Sequence, residues 1–166
     1  MQIYIAGPLG FSEAGRFFYY EKLIPEVNRL GHDVLDPWKL MAQDKIDVVL
    51  NMPYGEAKRD AWRCLNVEIG AKNRAAIDIC DAVLAILDGA DVDSGTASEI
   101  GYAFASGKLI LGYRGDFRLC ADNEGSVVNL QVEYFIRQSG GDIITNLAQL
   151  DNVLEKIASD TIKRRY

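Results

Sequence analysis

Four carboxylates, Asp88, Asp91, Asp93 and Glu99, fall within twelve residues of the stretch running from Leu87 to Ala103. A carboxylate so placed can act as a general acid or base, hold hydroxyl groups, or attack an electrophilic carbon and carry a covalent intermediate. Each also has a plainer use. Asp is favoured in turns and at helix N-termini, and a glutamate early in a helix complements the helix dipole by about 0.3 to 1 kcal/mol. Those uses do not account for Gly95, Thr96, Ala97 and Gly101, small residues grouped around Glu99 that leave room for a ligand to reach it. The EF-hand spacing of a calcium loop is absent.

Other chemistries are poorly supplied. Cys64, Cys80 and Cys120 are odd in number and far apart, as reduced and mostly buried thiols would be. The single imidazole, His32, enters a strand beside Gly31 and Asp33, which leaves little for a Ser-His-Asp triad or a histidine zinc site. No P-loop is present, and Gly7-Pro8-Leu9-Gly10 lacks the glycine spacing of a dinucleotide fingerprint. No metal or cofactor is expected.

The elements that must position these residues alternate strand and helix. Gln2 to Ala6 reads as a strand, Phe11 to Leu30 as a helix, and His32 to Leu35 as a second strand. Met41 to Glu56 is polar, and its Asn51-to-Gly55 segment reads as a loop over a site mouth. A long amphipathic helix is predicted over about Ala57 to Ile79, then a strand over Ala82 to Leu87, buried on both faces. Helix Thr96 to Ser106, strand Leu109 to Tyr113, a polar loop, helix Ser126 to Gln138, strand Asp142 to Ile144 and helix Leu147 to Ile162 complete the pattern. The prediction is one α/β domain over residues 1–166, a doubly wound, flavodoxin-like or Rossmann-like five-stranded parallel sheet with helices on both faces. Ligands of such sheets lie beyond the carboxyl ends of the strands, so the site is expected among Gly7 to Phe11, Asp88 to Glu99 and Arg114 to Asn129, with Gly7, Asp88 and Gly95 lining it.

Composition sets the surroundings. The 166 residues carry 18 Lys and Arg against 24 Asp and Glu, a net charge of -6, which argues against nucleic-acid polymers as partners. No segment approaches the roughly 20 apolar residues of a membrane span. Met1 leads directly into an apolar strand without a basic leader, so the chain is expected to be cytoplasmic.

Several of these segments together resemble the nucleoside 2-deoxyribosyltransferase family. The resemblance rests on Ile3-Tyr4-Ile5-Ala6-Gly7-Pro8, the Asp81-to-Leu87 strand, Asp93-Ser94-Gly95-Thr96-Ala97-Ser98-Glu99-Ile100-Gly101, Arg114 to Arg118, Asp122-Asn123-Glu124 and Val128-Asn129-Leu130-Gln131. It implies that Glu99 is a nucleophile attacking C1′ of a 2′-deoxynucleoside, expelling the base and passing the sugar to a second base with net retention. It also implies that Tyr4 holds that carboxylate and that Asp93 takes the sugar hydroxyls. Asp93 disfavours a 5′-phosphate, because like charges repel strongly in a desolvated site. Asn129 and Gln131 match a helix that enters a neighbouring subunit's site, so a homo-oligomer with shared sites is implied.

The chain departs from the family at Asn73, where an aspartate usually contacts and helps to protonate the base. An amide hydrogen-bonds a base edge but supplies no such proton. Glu68 and Asp78 are candidate substitutes, and Arg114, Asp116 and Asn123 are candidate base contacts or loop-stabilising groups. Two other readings compete: an N-glycosidase acting on nucleosides or 5′-nucleotides with water as acceptor, and a non-catalytic nucleotide-sensing module.

Overall fold

The computed structural model of the chain describes residues 1–154. Five strands form one sheet, β1 (Gln2–Ala6), β2 (Asp33–Leu35), β3 (Ala82–Ile86), β4 (Leu109–Tyr113) and β5 (Ile143–Ile144). They lie in the order β2-β1-β3-β4-β5, and every neighbouring pair is parallel. This is the predicted α/β sheet. All five residues of β3 are buried, as its unbroken apolar run requires of a strand covered on both faces.

Side chains alternate across a strand, so Ile3 and Ile5 face one layer while Tyr4 and Ala6 face the other. The first layer is α1 (Glu13–Phe18), a π-helical turn (Tyr19–Leu23) and α2 (Ile24–Arg29), which bury Tyr19, Leu23 and Val27. The π turn comes just before Pro25, which has no N–H with which to continue the i→i−4 ladder. The second layer is α4 (Glu56–Ile79), α5 (Ser94–Ala105) and α6 (Leu130–Gln138). It presses Ala76, Ile77, Ile100, Ala103, Val132 and Ile136 onto the sheet.

Between β2 and α4, Asn51 to Gly55 is the expected loop, but the polar stretch before it holds a helix. Residues Gln43–Leu50 form α3, whose Val49 and Ile46 pack with Met41, Leu65 and Trp62 in a small core of their own. Only a few of its residues turn inward, so the apolar stripe is too short to stand out. The predicted helix from Ser126 begins instead at Leu130, because Asn129 caps it by accepting hydrogen bonds from Gln131 N and Val132 N. Of the helix predicted over Leu147 to Ile162, the described part opens with a 3₁₀ turn, Leu147–Gln149, capped by Asn146. The rest, with the basic C-terminal end, lies outside the described residues. Cys80 is buried, but Cys120 is half-buried and Cys64 is exposed on α4, against the expectation of mostly buried thiols.

Strand order reverses between β1 and β3, and there the two strands leave the sheet in close contact. A Cβ on Gly7 would sit 2.8 Å from Ile86 Cβ, so glycine is what lets β1 exit at this point.

Candidate active site

The loop after β3 delivers Asp93 to the start of α5. Its Oδ2 accepts hydrogen bonds from Thr96 N at 3.0 Å and Thr96 Oγ1 at 3.2 Å, the ordinary work of an N-cap. Glu99 follows in the second turn of α5, on the same face as Gly95 and next to buried Thr96. Helical side chains lean toward the N-terminus, so the Glu99 carboxylate lies over a glycine and is left uncovered there.

Tyr4, fully buried on β1, donates its hydroxyl to Glu99 Oε1 at 2.6 Å across 95 residues of sequence. Burial pushes the Glu99 carboxyl above its usual range; the Tyr4 hydrogen bond opposes that shift, and the charge of Asp93 adds to it. Burial, and then the Glu99 charge, drive the Tyr4 hydroxyl far upward, so it remains a protonated donor.

These residues floor a cavity of about 610 Å³, of a size that holds small organic ligands. Gly7, Asp93, Gly95, Thr96 and Glu99 line its sheet end. Phe11, Trp38, Met41 and Ile46 come from the segments after β1 and β2, and α4 adds a stripe of Trp62, Asn66, Ile69 and Asn73. Phe11 meets Trp38 edge to face at 4.7 Å. A second hollow of about 270 Å³, bordered by Gly70, Arg74, Ser98 and Tyr102, reaches Asn73 and Glu99 from the α4/α5 surface.

The structure thus brings together Tyr4, Gly7, Asn73, Asp93, Gly95 and Glu99. It does not bring Asp88, Asn129 or Gln131 to the cavity of this chain. Asp88 Oδ1 accepts the Asp116 N–H and ties the end of β3 to the loop after β4. Asn129 caps α6, and Gln131 is exposed. The candidate base contacts are also elsewhere. Arg114 is 1% exposed and donates to the carbonyls of Leu87, Gly89 and Arg118. Asp116 pairs with Arg118, and Asn123 Oδ1 accepts from Gly125 N. Glu68 pairs with Lys45, and Asp78 accepts from Tyr102; neither lines the cavity. The Asn51-to-Gly55 segment does not line it either, and α3 takes that place through Ile46.

Phe11 ends the segment expected at the site after β1, whereas Trp38 and Met41 escaped sequence reasoning because they sit in short connections without periodicity. On α4 the signal was present: positions 62, 66, 69 and 73 form one helical stripe.

The site is thus a half-buried carboxylate, held by a tyrosine beneath an aromatic-walled cavity at the switch point of a parallel sheet. The chain belongs to the nucleoside 2-deoxyribosyltransferase family, whose model matches residues 3–131. Among solved structures, a 2-desoxiribosyltransferase from Leishmania mexicana is 28% identical over 87% of this chain and 90% of that one, with a TM-score of 0.58. A 2-deoxyribosyltransferase from the psychrotolerant bacterium Bacillus psychrosaccharolyticus is 20% identical over 92% and 91%, with a TM-score of 0.62. A CMP N-glycosidase from Clostridium botulinum is 20% identical over 95% and 99%, with a TM-score of 0.54. At 20% identity the last two share the fold. No curated protein sequence matches the chain. Family and fold together indicate an enzyme of the deoxyribosyltransferase group.

Proposed function

We propose that this protein transfers 2-deoxyribose from a 2′-deoxynucleoside to a free purine or pyrimidine base through a covalent deoxyribosyl ester on Glu99. The observation that carries the reading is the 2.6 Å bond from Tyr4 to Glu99 at the floor of the cavity. It orients one carboxylate oxygen and leaves the other free to attack. The Glu99 carboxylate forms a bond to C1′ as the C1′–N bond breaks, and the base departs with the electron pair. A second base then attacks C1′ from the face the first one left, restoring the carboxylate with net retention.

In this reading Asp93 holds the sugar hydroxyls with Oδ1, since Oδ2 is engaged with Thr96. The aromatic wall takes the base, and Asn73 meets its edge. Gly7 and Gly95 keep side chains out of the sugar's way, and Asp88 acts indirectly by fixing a neighbouring loop. Asn129 and Gln131 serve a neighbouring subunit of a homo-oligomer, entering by the smaller hollow that reaches Glu99. Hydrolysis, with water as acceptor, uses the same ester. Among the described residues no Lys, Arg or His lines the main cavity, which favours nucleosides over 5′-nucleotides as donors.

Chromatography of deoxyinosine and adenine with the protein tests this. Deoxyadenosine is expected with the unaltered chain, and its formation should fall by several orders of magnitude in Glu99→Ala. Hypoxanthine release without deoxyadenosine would favour the hydrolase, and no change in either compound would overturn both readings.

A further inference from the structure

Cleavage of an N-glycosidic bond sends the bonding electron pair to the base. A neutral purine therefore leaves as an anion unless a proton reaches its ring. Among the described residues, the carboxylic acids that line the main cavity are Asp93 and Glu99. Glu99 must be ionised to attack, and Asp93 caps α5 with Oδ2 while, in the proposed reading, its Oδ1 is directed to the sugar hydroxyls rather than the base. The rest of the lining includes Trp38, Met41, Ile46, Trp62 and the amides of Asn66 and Asn73, of which Asn73 also borders the smaller hollow together with Glu99. None of these is an acid. The Asn73 Oδ1 is buried with no hydrogen-bond partner among the described residues.

The same lining bears on charge. It combines two carboxylates with three aromatic rings, Phe11, Trp38 and Trp62, and among the described residues includes no cationic side chain. Such a chamber attracts a delocalised cation, through the carboxylates and through the faces of tryptophan rings.

Resting on the reading of Glu99 as nucleophile, we propose that the preferred donors are nucleosides whose base is already a cation, N-alkylated purinium or pyridinium deoxyribosides. With such a donor the steps balance without an acid. The Glu99 oxygen bonds to C1′, and the C1′–N pair returns to the ring and cancels its positive charge. The base leaves neutral and no proton moves. Water or an acceptor base then attacks C1′, frees the carboxylate and yields its proton to solvent.

The test compares N7-methyl-2′-deoxyguanosine with 2′-deoxyguanosine, following base release and subtracting the loss without enzyme. The unaltered protein should favour the cation by at least about a hundredfold in kcat/KM. Asn73→Asp should narrow that preference to within about tenfold by accelerating the neutral nucleoside. Turnover of the neutral nucleoside within tenfold of the cation by the unaltered protein would overturn the proposal while leaving the Glu99 reading intact. So would an Asn73→Asp variant whose rate on the neutral nucleoside is unchanged. Base release from neither nucleoside, or release that survives Glu99→Ala, would overturn the Glu99 reading and this inference with it.

Discussion

At the scale of single residues, the pairing of Tyr4 with Glu99 makes two expectations. A hydrogen bond to a charged group contributes roughly 1.5 to 3 kcal/mol, so Tyr4→Phe should lower kcat/KM by roughly 10- to 100-fold, read by steady-state kinetics. The second concerns pH. Burial raises the Glu99 carboxyl and the Tyr4 hydrogen bond pulls it back down. Glu99 acts only when ionised, so activity should fall as pH drops through its raised value, at higher pH than for an ordinary glutamate. Without the Tyr4 hydroxyl the ionised form loses a partner, and the acid limb of kcat/KM against pH should move further upward. A limb that stays in place would show that the bond does not govern the nucleophile. Glu99 was legible in the sequence because small residues surround it, a pattern that capping and dipole effects do not explain. Tyr4, as its partner, could be reached only by resemblance, since nothing local links residues 95 positions apart.

At the scale of elements, the loops after β3 and β4 are joined by one buried cation. Arg114 donates to Leu87 O, Gly89 O and Arg118 O, and Asp88 receives the Asp116 N–H alongside. Arg114→Met would strand those carbonyls, at a cost of about 3 kcal/mol or more. For a chain of this size that corresponds to a fall in melting temperature of roughly 6 to 12 °C, measurable by calorimetry. Strands and long helices were readable from the sequence, because β3 is uniformly apolar and α4 carries its stripe over many turns. Elements that depend on a few residues were not. In α3, Ile46 and Val49 meet partners on α4 that lie far along the chain. The start of α6 is decided by which of several capping residues, Ser126 or Asn129, closes on the backbone, and composition does not choose between them.

At the scale of the whole molecule, Asn129 and Gln131 lie outside this chain's cavity, on or beside a helix that also exposes Leu130 and Tyr134. If the site is shared between subunits, Leu130→Glu should split the assembly and reduce activity together. Light scattering and turnover measured on the same sample check this. A variant that stays assembled, or one that separates with full activity, would remove the subunit-sharing role. Assembly of this kind is hard to read from sequence because the partner surface has no local signature beyond ordinary exposed apolar residues.

The chain has two tryptophans, and both Trp38 and Trp62 line the cavity. Its indole emission, excited where tyrosine is silent, is therefore a readout of that one chamber and of little else. Trp38 rests edge-on against Phe11, whereas Trp62 belongs to the small core beneath α3, so the two rings sit in different surroundings. A purine or pyrimidine entering between them should quench or shift that emission. The protein thus carries its own label, and candidate ligands can be ranked by titration before any product is sought.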